Sequence, residues 1–322
     1  MPELAHACWH LDAQTSAIQP EPLPDLTAGQ LRLRARYSLI SAGTERLVAR
    51  GEVPAEIAGD MGVPFMGGAF PFPIKYGYSL VAEIEAPAPQ AGQLVHLLHP
   101  HQDRLQVPAG AVFPVPAGVP ARRAVLASNL ETALNALWDS GLSLGDRALV
   151  VGYGLIGALV ARLLQRLPAV EVVVQEPDAH RRALAEAQGL AVQAGPGAQR
   201  FDYAFHTSAS AGGLQAAIDQ TAFEGTIVEM SWYGTRSVPV ALGGSFHSQR
   251  KRLISSQVSQ LPAGRRGRWD YRRRKAAVFA LLQDSAFDAL LTDEVPFAGL
   301  PDFFQNLRQG TAGGFAWTVR YA

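Results

Sequence analysis

At 322 residues the chain is long enough for two domains with separate cores. Lys plus Arg and Asp plus Glu both total 28, so no net field draws it to nucleic acid or to an anionic membrane. The single cysteine, Cys8, excludes an internal disulfide and a multi-cysteine metal site; no apolar run is long enough to span a bilayer and no basic-then-apolar leader opens the chain, so a cytoplasmic protein is expected.

Residues 1 to about 118 show short apolar runs, Leu31–Leu39, Leu80–Ile84, Gln93–Leu98 and Ala111–Val115, separated by Pro- and Gly-rich turns. That pattern predicts a β-rich, barrel-like domain. From Arg122 the apolar spacing turns helical through Val125, Leu126, Leu130, Leu134 and Leu137. A βαβ series follows, with strands expected at 149–151, 170–175, 201–206, 225–230 and 253–256. The last stretch predicts a helix at 276–282, a strand at 290–295, a helix at 300–307 and a strand at 315–321.

The most informative segment is ALVVGYGLIG, residues 148 to 157. An apolar strand runs into Gly152-x-Gly154-x-x-Gly157. Helix-spaced Leu155, Ile156, Leu159, Val160, Leu163 and Leu164 follow, and Pro168 closes the helix. A second strand then ends at Glu176, 19 positions after Gly157. This is the dinucleotide-binding fingerprint in its full context. Gly152 makes the turn, Gly154 admits a pyrophosphate, and Gly157 lets helix and strand approach. Tyr153, Leu155 and Ile156 supply backbone around the phosphates. Glu176 accepts ribose hydroxyls and repels a 2′-phosphate, which favours NAD; Arg181 and Arg182 keep NADP open.

The order β-rich domain, nucleotide domain, return segment resembles the medium-chain dehydrogenase/reductase superfamily, and the resemblance covers nearly the whole chain. Matching points are Ser41-Ala42-Gly43-Thr44-Glu45, Gly77-Tyr78-Ser79, Leu130-Glu131-Thr132-Ala133, and Leu291 to Phe297. The sequence looks closest to the alcohol and threonine dehydrogenase-like branch, near its bacteriochlorophyllide dehydrogenase-like members. The resemblance implies an α/β chain with a GroES-like β-barrel catalytic domain (1–120 and 259–322) and a Rossmann, doubly wound parallel-sheet domain (121–258). It also implies hydride transfer between NAD(H) and an alcohol or carbonyl substrate bound between the domains, and a homodimer.

The family's zinc ligands are absent at every corresponding position. Ala42 replaces a cysteine, Tyr78 and Ser79 replace a histidine and a glutamate, and Ser128-Asn129 stands at the third site. A zinc-free branch is therefore expected, with Thr44, Tyr78 and His247 as catalytic candidates. Thr44 matches the family's proton-relaying hydroxyl; Tyr78 is either a phenol donor or an aromatic wall; Glu45 is either an acid standing behind the site or, with more support, a surface ion-pair partner. Thr132, Ser208, Ser231 and Trp232 are further cofactor candidates, and Tyr78, Asn129, Trp232, Tyr233 and His247 are substrate candidates. His96, His99 and His101 in LVHLLHPHQ imitate a metal cluster, but their spacing around Pro100 reads as a surface loop. Arg265 to Lys275 holds seven basic residues and one acid, and reads as a solvated face, an anionic-substrate clamp or, with least support, a nucleic-acid patch. Two readings stand beside the NAD-linked enzyme: an NADPH-dependent quinone or enone reductase, and a nucleotide-binding sensor without catalysis.

Overall fold

The computed structural model describes residues 3–322. They divide into two compact units, one running up to Ser128 and resuming at Lys275–Ala322, the other Asn129–Arg274. The divisions fall inside the helices Ala127–Ser140 and Tyr271–Leu281, whereas the resemblance implies divisions at 120/121 and 258/259.

The first unit is built on strand alternation. In Gln30–Leu39, Leu31, Leu33 and Ala35 face inward while Arg32 and Arg34 flank them. This strand pairs antiparallel with Leu80–Ala86, Arg104–Pro108 and Trp317–Arg320. Leu94–Leu97, Phe113–Pro114 and Asp293–Pro296 complete a seven-stranded sheet. A second sheet of four strands is led by the hairpin Leu4–His10 and Ser16–Pro22, in register from Leu4↔Pro22 to His10↔Ser16. An Ala7–Gln102 bridge ties the two sheets together. The helix Leu300–Gln309 lays Leu300, Phe304 and Leu307, one helical face, onto the sheet core and stops at Gly310, whose φ of 76° is left-handed.

Several end segments differ from the sequence expectation. Residues 285–290 form a 3₁₀ turn, and the following strand begins only at Asp293. The helix expected at 276–282 begins five residues earlier, at Tyr271, because charged residues carry a helix as well as apolar ones do when one side is packed.

The second unit is an open sheet of six parallel strands. Their order is Ala191–Gln193, Glu171–Gln175, Arg147–Val151, Phe201–His206, Thr221–Glu229, Arg252–Ser255. In order along the chain these strands are 3-2-1-4-5-6, the doubly wound pattern. The strand order reverses between Arg147–Val151 and Phe201–His206. Ligands of such sheets bind at the carboxyl ends of these two strands.

Candidate active site

At that switch point the chain leaves Val151 through Gly152, whose φ is 99° and whose Cβ, were it present, would lie 2.9 Å from Ser208. A Cβ on Gly157 would stand 2.0 Å from the Gly152 carbonyl oxygen and 2.8 Å from Thr207 Oγ1. Only glycine permits that approach of helix Leu155–Leu164 to the turn. Gly154 caps the helix, and the space beside it is open up to Arg181, whose Nη1 would lie 3.9 Å from a Cβ on this glycine.

Glu176 is 6% exposed and grips the turn it faces. Its Oε2 accepts from the Tyr153 backbone N–H at 2.7 Å and its Oε1 from that of Asp178 at 2.9 Å. A carboxylate oxygen has two acceptor directions, so each keeps one for a ribose hydroxyl. The Tyr153 ring is buried, which leaves its backbone as its contribution to the turn. Arg182 donates instead to the Glu176 and Pro177 carbonyls, at 2.9 and 2.7 Å. Of the two arginines, Arg181 is the one beside the turn.

On the neighbouring strand ends His206 and Glu229, which the sequence expectation did not include, join Ser208, Ser231 and Tyr233 in a polar cluster. His206 ends one strand and Glu229 the next, and both side chains turn to the carboxyl edge. His206 Nδ1 lies 2.8 Å from Glu229 Oε2, and its Nε2 lies 2.7 Å from Ser208 Oγ. Tyr233 donates its phenol to Glu229 at 3.0 Å, and Ser231 gives it a backbone N–H at 2.7 Å. Burial raises the Glu229 pKa, but the hydrogen bonds and charge of His206 outweigh it and hold the carboxyl below its ordinary range. Ser208, Ser231 and Tyr233 are thus joined in one network, a signal available only as polar residues closing two apolar strands. Trp232 is half-buried beside it in the chain. His247 is exposed on the turn Ser245–Ser248, and Asn129 and Thr132 lie on the helix Ala127–Ser140.

The first unit carries the other candidates. Ser41 begins the helix Ala42–Ala49, and Glu45 reaches back to accept its backbone N–H at 2.7 Å. The side-chain hydroxyls of Ser41 and Thr44 both neighbour the Tyr78 phenol and act to lower its pKa, so Thr44 and Tyr78 meet. Burial, reinforced by the Glu45 charge, pushes the Tyr78 pKa up to about 12, which keeps the phenol protonated at neutral pH.

Two expectations are overturned here. Glu45 is not a surface ion-pair partner: it is 1% exposed and its Oε2 lies 2.9 Å from His101 Nε2. His101 continues through Ser38 Oγ at 2.7 Å to the Tyr321 phenol at 2.9 Å. The histidines of LVHLLHPHQ are not a surface loop either, since His96, His99 and His101 are all buried. His96 points from the strand Leu94–Leu97 toward Ser79 Oγ, 3.2 Å away, and His99 stacks on Phe65. Burial drives the pKa of His99 down to about 3 and that of His96 well below its ordinary value, so both are neutral. Pairing along the sheet, invisible in the local spacing, put this turn inside.

These side chains do not fit a zinc ion. Zinc takes thiolate, imidazole or carboxylate in a tetrahedral array. Ala42 has no donor, Ser79 Oγ is bonded to the Val125 carbonyl and Ser128 Oγ to the Tyr78 carbonyl. Among the described residues no three His, Cys, Asp or Glu side chains group as a metal site.

No family model matches the chain. L-idonate 5-dehydrogenase from Escherichia coli superposes with a TM-score of 0.79 at 14% identity, covering 99% of both chains. 2R,3R-butanediol dehydrogenase from Bacillus subtilis gives 0.77 at 17%, covering 98% of this chain and 99% of that one. The chain shares the fold of these two dehydrogenases. By sequence it is 26% identical over 207 residues to D-guloside 3-dehydrogenase of Escherichia coli, a match spanning 60% of this chain and 59% of that enzyme. It is 32% identical over 192 residues to 2-desacetyl-2-hydroxyethyl bacteriochlorophyllide A dehydrogenase of Cereibacter sphaeroides, spanning 52% of this chain and 53% of that one.

Proposed function

We propose that the protein is a zinc-independent oxidoreductase that moves two electrons and a proton between NAD(H) and an alcohol or carbonyl. The observation that carries this is the glycine turn at the switch point, closed by Gly157 and faced by Glu176. The named relatives, dehydrogenases of polyols, glycosides and a bacteriochlorophyllide, agree with it.

A bound nicotinamide would supply the acceptor for the hydrogen leaving the substrate carbon with its electron pair. Gly152, Gly154 and the amino end of helix Leu155–Leu164 hold the pyrophosphate, and Glu176 the adenosine ribose. Thr44 and Tyr78 relay the proton on the substrate oxygen. As an alcohol is oxidised each hydroxyl accepts one proton and passes its own on, the last to bulk water. In the reducing direction the neutral phenol gives its proton to the forming alkoxide and regains one by the same relay. A hydrogen-bond donor thus does what a Lewis acid does in zinc relatives. We read the two sheets of the first unit as the family's barrel, and the edge strand Arg252–Ser255, with exposed Leu253, as the side on which a homodimer pairs.

Parallel titration with NADH and NADPH, followed by a panel of alcohols and activated double bonds, tests the proposal. Tight NADH binding with alcohol oxidation supports it, and no binding of either nucleotide overturns it. Stoichiometric zinc by elemental analysis overturns the metal-free chemistry. Arg181 beside Gly154 supports a second reading, an NADPH-linked reductase of conjugated carbonyls, which tighter NADPH binding would favour.

A further inference from the structure

His101 stands between the two segments that carry the candidate hydroxyls, Thr44 and Tyr78. Its Nε2 lies 2.9 Å from Glu45 Oε2, and the other oxygen of that carboxylate accepts the Ser41 N–H at 2.7 Å. Ser41 opens the helix Ala42–Ala49, so one carboxylate pins the helix start and reaches the imidazole. Thr44 sits in the first turn of that helix, directly before Glu45. A carboxylate accepts and does not donate, so Glu45 takes the Nε2 proton of His101.

The opposite arm is a close approach of backbone to ring. Gly77 has a φ of 136°, and a Cβ there would lie 3.3 Å from His101 Cδ2 and 3.2 Å from Pro100 Cα. Glycine admits both the backbone angle and the contact. The turn that delivers Tyr78, the next residue, is therefore packed directly on the imidazole and the chain beside it.

His101 is in turn fixed on its remaining sides. Its Nδ1 lies 2.7 Å from Ser38 Oγ, which continues to the Tyr321 phenol at 2.9 Å. Its carbonyl takes the Cys8 N–H at 2.9 Å, and the Phe304 ring lies 6.1 Å from its own. At 1% exposure with both nitrogens engaged, the ring is held in one orientation.

We propose that His101 is a positioning residue for the proton relay, holding the Thr44 helix through Glu45 and the Tyr78 turn through Gly77. Proton transfer depends on the separation so fixed, since a misplacement of about 1 Å costs about 10²-fold in rate. Only the relay rests on the oxidoreductase reading; the placement of Tyr78 by His101 stands on the contacts themselves.

Fluorine NMR of the full chain carrying 3-fluorotyrosine tests it, with the Tyr78 line assigned by its loss in Tyr78→Phe. The side-chain amide of glutamine reaches where Nε2 stands, and that of asparagine only where Nδ1 stands. His101→Gln keeps the bond to Glu45 and is expected to leave the Tyr78 line in place. His101→Asn loses that bond, and the line is expected to shift or split. Turnover of the alcohol oxidised fastest in the panel should fall about tenfold in His101→Asn, with NADH affinity changed less than about twofold. Ser38→Ala keeps the imidazole, frees only Nδ1, and is expected to move the line in the same direction by less; it decides alone if His101→Asn does not fold. A line unmoved by His101→Asn and Ser38→Ala, or moved equally by His101→Asn and His101→Gln, overturns the proposal. A chain that shows the expected shifts but oxidises no alcohol keeps the placement of Tyr78 and removes the oxidoreductase reading. Alcohol oxidation untouched by His101→Asn keeps that reading and overturns the positioning role.

Discussion

The glycine turn is drawn from one continuous stretch: Gly152, Gly154, Gly157 and Glu176 lie within a single βαβ unit. The polar chain of the first unit comes from the two ends of the sequence, Ser38, Glu45, His101 and Tyr321. The first depends on backbone shape, the second on complete pairing of buried polar groups. A backbone-shaped site fails when volume is added, whereas a buried network fails when a partner is removed or its charge changes.

The strongest effect should fall on the turn. Gly157→Val drives a side chain into the Gly152 carbonyl, and should abolish dinucleotide binding in fluorescence titration while costing about 3 kcal/mol in urea unfolding. Retained binding would show that the turn can relax, and would end the contrast. Glu45→Ala is its counterpart. It strands the Ser41 N–H and the His101 ring, and should lower stability by ~3 kcal/mol without changing NADH affinity.

Tyr78→Phe should reduce turnover by about 10²-fold at unchanged nucleotide affinity. An unaltered rate would make Tyr78 an aromatic wall.

Acid should separate the two units. His10 and His99, whose pKa values are depressed to about 3, and His96, depressed well below normal, all belong to the first unit. The unfolded chain takes up protons near 6.5 that the folded histidines refuse, so stability falls as pH drops below that value. Glu229 in the second unit is depressed from 4.5, and its contribution is lost only at lower pH. Hydrogen exchange at about pH 5, between those two ranges, should therefore open the first unit before the second, and simultaneous opening would contradict this. The weakest effect is expected from Arg181→Ala, which should weaken NADPH by a few-fold more than NADH, about the worth of one exposed charge contact.

The glycine fingerprint, the parallel strand series and the change from period-two to helical spacing were legible because each depends on neighbours a few residues apart. The seven-stranded sheet was legible in part. Leu31–Leu39 and Leu80–Ile84 are marked by apolar content, while the hairpin strands Leu4–His10 and Ser16–Pro22, interrupted by histidines in the first and by prolines and charge in the second, show no continuous apolar run. His96, His99 and His101 look like a polar turn, and nothing local says that the sheet closes over them.

Read alone, the order of residues determined the glycine turn, the acid that faces it and the absence of zinc-binding side chains at Ala42, Tyr78 and Ser79, since side-chain chemistry and backbone freedom are properties of the residues themselves. Packing in three dimensions settled which polar groups are buried and paired: Glu45 with His101, His206 with Glu229 and Ser208, and Arg265 and Arg273 on Trp138 and Trp269. Burial and pairing are set by segments far apart in the chain. The cost of leaving a buried polar group unpaired then selects the partner that packing brings within reach.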